Sequence, residues 1–194
     1  MSPDRIFTAP EFQSRYDEVE ISLLTPKCTL VPEHFFDKSV ARDILGDAVE
    51  LKDTDQVDFI QEPASGAVLV YSLSIGETMS RLISGTVLRK DGSTSPVLPE
   101  FHYMLAAASR LSDYNRIVAS YADGRLYLVV SQGRSLMLCN SFDAVDFTTA
   151  QYYIFMVMKR LQLNPEQSVI YFRTPLEQHE EMSLYRYFRG VEVI

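Results

Sequence analysis

Between Arg116 and Ile194 the chain reads strand, strand, strand, helix, strand, helix, strand. Few folds accept that order. The first three strands, Arg116–Tyr121, Arg125–Ser131 and Ser135–Phe142, are joined by turns at Asp123–Gly124 and Gln132–Gly133. Turns that short make an antiparallel meander. Phe147–Leu161 then reads as a helix, capped by Asp146 or Thr148 and stopped at Asn164–Pro165. Ser168–Phe172 is a continuous β-rich run, the mark of a strand buried on both faces. Gln178–Arg189 reads as a helix ended by Gly190, and Val191–Ile194 as a last strand. A strand, a helix of this length and another strand imply a parallel, right-handed crossover. A meander followed by two crossovers predicts an α/β unit: a mixed sheet with helices on its faces.

The front of the chain is less regular. Pro10–Glu18 reads as a short helix, with Thr8 as its cap. Val19–Thr25 reads as a strand ending at Pro26, with Thr29–Val31 extending or pairing with it. Asp37–Leu45 predicts a helix ended by Gly46. Gln56–Gln61 and Ala67–Leu73 predict two strands turned at Pro63–Gly66. Gly76–Ser84 follows as a helix capped by Ser74, Gly85–Leu88 as a short strand, and Pro99–Leu111 as a helix. The boundary between halves is placed at Ser112–Asn115, dividing the chain into residues 1–112 and 113–194.

Charge narrows the partners. Lys and Arg number 18 against 26 Asp and Glu, a net charge of −8. Nucleic-acid binding needs Lys and Arg to neutralise phosphates, and an anionic membrane surface needs the same. Both are disfavoured. Tyr152–Met158, the longest apolar stretch, is far too short to span a bilayer. Met1 to Arg15 has no apolar h-region, so no signal peptide is expected. Cys28 and Cys139 stand alone in strand-like contexts and read as buried thiols in a reducing compartment. The expected location is the cytoplasm.

Two strings carry a resemblance: TLVPEHFF at Thr29–Phe36, and NSFDAVDFTTAQYYIFMVMKRLQLNP at Asn140–Pro165. With them the chain, from about Glu20 to its end, resembles a family of uncharacterised proteins from Bacteroidetes. That family is a domain of unknown function with an actin-like ATPase fold of two ribonuclease-H-like halves. The resemblance implies a complete second half and an abbreviated first one.

It also says where a nucleotide would sit. Actin-like ATPases hold phosphates on Asp- and Gly-bearing hairpin turns whose backbone N–H groups approach the phosphates. The matching turn is Ala122-Asp123-Gly124-Arg125, which makes Asp123 and Gly124 the nucleotide candidates. The turn lacks a second Gly and a Thr-type hydroxyl, and Asp-Gly is also a plain hairpin signal. After Ser168–Phe172, an adenosine pocket would need Gly for close approach; the chain has Arg173-Thr174-Pro175. A ribonuclease H needs convergent carboxylates for two metals, and Arg116–Tyr121 contains none. Asp143 and Asp146 suit a helix N-terminus better than a metal.

The remaining motifs are weaker. His34, His102 and His179 lie far apart and suit packing or surface roles. His179 begins HEEMS, which lacks the second His of HExxH and reads as a solvated helix start. In Phe147–Leu161, Ala150, Ile154, Val157 and Leu161 form a core stripe, yet Tyr152, Tyr153, Phe155, Met156 and Met158 fill the rest of the circumference. Such a helix is either sandwiched between the two halves or offers Tyr152, Tyr153, Phe155 and Met156 to a protein partner or a second copy. The expected function is non-catalytic binding or scaffolding, with no cofactor, no metal and no catalytic residue. One alternative is an ATP/Mg-dependent, actin-like or sugar-kinase-like enzyme with nucleotide between the halves. The other is a homodimeric structural module.

Overall fold

A computed structural model describes residues 14–62, 64–73, 83–85 and 89–194. Its chain divides into two compact units, one built from Met1–Gln61 and Val68–Glu100, the other from Glu62–Ala67 and Phe101–Ile194. The named elements of the first are β1 (Ile21–Leu23), β2 (Cys28–Pro32), α1 (Ala41–Ala48), β3 (Val57–Glu62), β4 (Ala67–Ser72) and β5 (Val97–Pro99). The second begins within α2 (Glu100–Arg110) and continues through β6 (Asn115–Ala122), β7 (Arg125–Gln132) and β8 (Ser135–Asp143). It ends with α3 (Phe147–Arg160), β9 (Val169–Phe172), α4 (Gln178–Tyr185) and β10 (Gly190–Val193).

In the first unit three strands pair in the order β2-β4-β3. Val68, Val70 and Leu45 are buried together with Ala41, and Phe36 and Phe59 close the cluster with ring centroids 4.9 Å apart. The segment 29–31 does not extend β1. A turn at Pro26, with Cys28 N donating to Pro26 O, redirects the chain so that β2 lies beside β4. β1 pairs instead with β5, in parallel, Ile21 opposite Val97.

The helix expected over 37–45 is also displaced. Asp37 accepts from Ser39 N at 2.8 Å and starts a single 3-10 turn, Lys38–Val40. The α-helix begins only at Ala41 and runs through Gly46 to Ala48. A C-terminal stop glycine works by adopting left-handed φ. Gly46 does not, and Val49 N closes the last turn on Leu45 O at 2.9 Å. The described part of the helix expected over 10–18, residues 14–18, is not helical; there Tyr16 bridges Arg89. Most of the helix expected over 76–84 and of the strand over 85–88 lies outside the described residues, as does Pro63.

Cys28 lies on β2, its Sγ donating to Thr25 O at 3.9 Å, and burial pushes its thiol up to about 12. Thiol reagents attack the thiolate. At pH 8, alkylation of Cys28 is expected to be much slower in the native protein than in denaturant. Peptide mass mapping against time checks this, and equal rates in the two states would contradict it.

The second unit is the mixed sheet expected from the strand order. Its strands run β10-β9-β6-β7-β8. β6, β7 and β8 form the antiparallel meander, while β9 lies parallel to both β6 and β10. Side chains alternate across it. Ile117, Ala119, Leu126, Leu128, Ile170 and Phe172 point to one face, where they meet Ala150, Ile154 and Met158 of α3 and Leu184 of α4. The other face bears α2, whose Phe101 packs on Tyr127 at 5.4 Å. α4 stops at Tyr185, short of the expected 189. Tyr187 N and Phe188 N both turn onto Leu184 O, which brings Arg189 N to Ser168 O and starts β10.

Candidate functional site

β6 and β7 close on each other through the pair Ala122–Arg125, leaving a two-residue loop of Asp123 and Gly124. Their φ values are 51° and 70°. Two positive φ angles in a two-residue loop define a type I′ turn, whose twist matches the strands it joins. The Asp-Gly pair is therefore required by the hairpin itself. The structure places both candidate residues at the carboxyl end of β6, where ligands bind in open α/β sheets.

Most polar groups around this turn are already engaged. Gly124 O accepts from Ala144 N at 2.8 Å, and Tyr121 Oη donates to Ala144 O at 3.2 Å. Tyr121 N donates to Thr174 Oγ1 at 2.9 Å, which ties the end of β6 to the segment after β9. Arg125 is paired with Asp143. Asp146 caps α3, accepting from Thr149 N at 2.7 Å, and that bond holds its carboxyl below the usual range. The helix N-terminus, a natural anion seat, thus holds a carboxylate of the protein itself. The Tyr121 hydroxyl is pushed up, chiefly by burial and then by the charges of Asp146 and Glu180. Asp123 is exposed, and among the described residues no three His, Cys, Asp or Glu side chains converge as metal ligands.

The four aromatic and Met positions on α3 differ in exposure. Tyr153 stacks on Phe142 at 4.7 Å, and Phe155 meets Tyr187 at 4.9 Å and Phe188 at 5.8 Å. Tyr153, Phe155 and Met156 pack against the unit's own core, as does Leu161, while Met158 is fully inside it. Tyr152 is 63% exposed. Tyr187 and Met182 are exposed on the neighbouring helix segment, which Gln151 joins to α3 through Ser183.

Two polar constellations had no signal in the sequence, because their members come from distant segments. Asp55 gathers Lys27 Nζ at 2.5 Å, Lys52 N at 2.7 Å and Ser72 Oγ at 2.9 Å. His102 Nδ1 lies 2.6 Å from Glu62 Oε1, which gives this histidine a buried carboxylate partner. His34 lies against Phe35 with the two rings tilted by 43°, and His179 lies exposed at 3.2 Å from Glu177.

A family model described as a protein of unknown function, DUF3822, matches residues 4–191. The chain belongs to the DUF3822 family. Among solved structures, this DUF3822 chain is similar to a protein from Bacteroides thetaiotaomicron VPI-5482 described as having an actin-like ATPase fold and unknown function. The two share 16% identity with a TM-score of 0.69, over 98% of this chain and 74% of that one. The DUF3822 chain therefore has an actin-like ATPase fold, as its strand order and its two strings implied. No curated protein matches it. Among the described residues no helix is long and apolar enough to cross a membrane.

Proposed function

We propose that this DUF3822 member is a non-catalytic binding or scaffold protein of the cytoplasm that keeps the actin-like frame without its nucleotide chemistry. One observation carries the reading. The N–H donors that a phosphate beside the Asp123–Gly124 turn would use at the α3 N-terminus already face the Asp146 carboxylate, which accepts from Thr149 N. A triphosphate there would also meet the charges of Asp123 and Asp146. Fold alone does not decide the matter, since one fold hosts both enzymes and inert scaffolds. The exposed Tyr152 and Tyr187, on segments joined by the Phe155–Tyr187 contact, supply apolar area for a protein partner.

ATP with Mg²⁺ tests it. A ligand that binds only the native state raises the melting temperature by mass action. The expected result is no shift at millimolar ATP-Mg beyond that of matched salt. A rise of several degrees that Asp123→Ala abolishes would replace this reading with the kinase- or ATPase-like one.

A further inference from the structure

We propose that a cavity under the last turn of α2 binds the oxyanion head, carboxylate or phosphate, of a small organic acid. The cavity lies wholly within the second unit and encloses about 480 Å³. That is the scale of small-molecule sites.

Its floor follows from strand register. Arg116 on β6 stands opposite Ser131 on β7. Their sheet neighbours Ile117 and Val130 point into the α3–α4 core, so Arg116 and Ser131 point to the α2 face. β8 reaches the same floor through an irregularity. Val130 pairs with Leu138 but Ser131 pairs with Leu136, so Met137 is an extra residue. A bulge of this kind re-aims side chains and is common beside functional sites. Here it reverses the phase of β8, and Leu136 becomes an apolar wall of the cavity.

The charge inside is positive. Arg116 Nη1 donates to Ala108 O at 3.0 Å, at the carbonyl end of α2, while its buried Nε has no hydrogen-bond partner. Buried donors are ordinarily satisfied, and one that is not calls for a partner. Arg134 follows Gly133 (φ 56°) in the β7–β8 turn and also lines the cavity. Among the described residues it has no acidic partner. Glu62, the buried acid among the lining residues, is engaged by His102 through Oε1. Two guanidiniums and the Ser131 hydroxyl therefore face a space with apolar walls from Leu105, Ala108 and Leu136, while the hydroxyls of Ser65 and Ser109, which also line it, donate to Glu62 O and Ala106 O. Arginine is the side chain best matched to planar two-point recognition of carboxylate and phosphate. In a chain of net charge −8, this concentration runs against the overall field. The Asp123–Gly124 turn is at the far end of the eight-residue strand β6, roughly 20 Å away at about 3.3 Å per residue. The two sites are thus independent.

The test uses sodium phosphate and sodium succinate as probes, each against sodium chloride at equal ionic strength, followed by amide NMR shifts of the full chain. Saturable shifts confined to 131–136 and the end of α2 are expected for one or both probes. Saturation by phosphate alone assigns the site to phosphate esters, and by succinate alone to carboxylic acids. Arg134→Gln, on an exposed turn where folding is not at stake, should weaken binding at least about fivefold, and Ser131→Ala should weaken it less. Shifts that grow linearly with salt, spread over the surface, or persist unchanged in Arg134→Gln would overturn the proposal.

Discussion

Replacing Phe172 with alanine is expected to cost about 3–5 kcal/mol of unfolding free energy. Phe172 is fully buried at the end of β9, with Ala119 of β6 on one side and Val193 of β10 on the other. Its ring centroid lies 6.2 Å from that of Phe147, at the start of α3. Truncation leaves a cavity between two helices and three strands, none of which can collapse without disturbing the ladder. A large part of a marginal stability would go with it. Tyr152→Ala is the matched control. It removes an equally large ring from the surface and should change stability by no more than about 0.5 kcal/mol. Urea midpoints for both variants check this. A Phe172→Ala cost below that of Tyr152→Ala would mean that β9 is not the packed centre of the unit.

The contrast between these two residues marks where sequence reasoning worked and where it stopped. Ala150, Ile154, Val157 and Leu161 read as a core stripe from helical spacing alone; the structure buries the first three and leaves Leu161 half-buried at the helix end, while Met158, outside the stripe, is buried too. Spacing could not say which of the other large side chains find a partner. Tyr153 finds Phe142 on β8 and Phe155 finds Phe188 after α4, from segments the helix periodicity does not contain. The meander was legible because short turns announce themselves through glycine: the first loop is Asp123–Gly124 as expected, and the second is Gly133–Arg134, one residue beyond the expected Gln132–Gly133. The β1–β5 pair was not. It joins three-residue strands far apart in the chain, and β5 ends in Pro99, which reads as a helix start. Gly46 misled for a similar reason: a glycine signals a helix end only through its φ, and φ is not written in the sequence. Arg116 and Ser131 follow from the register of a recognised hairpin. The extra Met137 that turns Leu136 toward them does not, because a bulge leaves no composition mark. The candidate turn was found at once and the cavity not at all: one is a local motif, and the other is assembled from four segments.

The second large effect concerns acid. Asp55→Asn is expected to lower stability near neutral pH by about 2–3 kcal/mol. The carboxylate is only 8% exposed and joins three segments: Lys27 just before β2, the Lys52 amide, and Ser72 at the end of β4. Arg42 of α1 braces the same turn, donating to Asp55 O at 2.6 Å and Lys52 O at 3.0 Å. Lys27 is 24% exposed and can be hydrated when its partner is lost, which keeps the cost below that of breaking a fully buried pair. The hydrogen bond from Lys27, followed by that from the Lys52 amide, holds the Asp55 carboxyl at about 2 against an ordinary 3.8. A carboxyl depressed in the folded state stabilises it above the unfolded value. That contribution, roughly 2 kcal/mol here, fades as pH falls from about 4 toward 2. Wild-type stability should therefore drop through that window, and Asp55→Asn should drop less steeply. Lys27→Met should reproduce much of the loss, and the double variant should cost less than the sum, since both act on one pair. Parallel acid limbs for wild type and Asp55→Asn would show that the carboxylate is not held by this network.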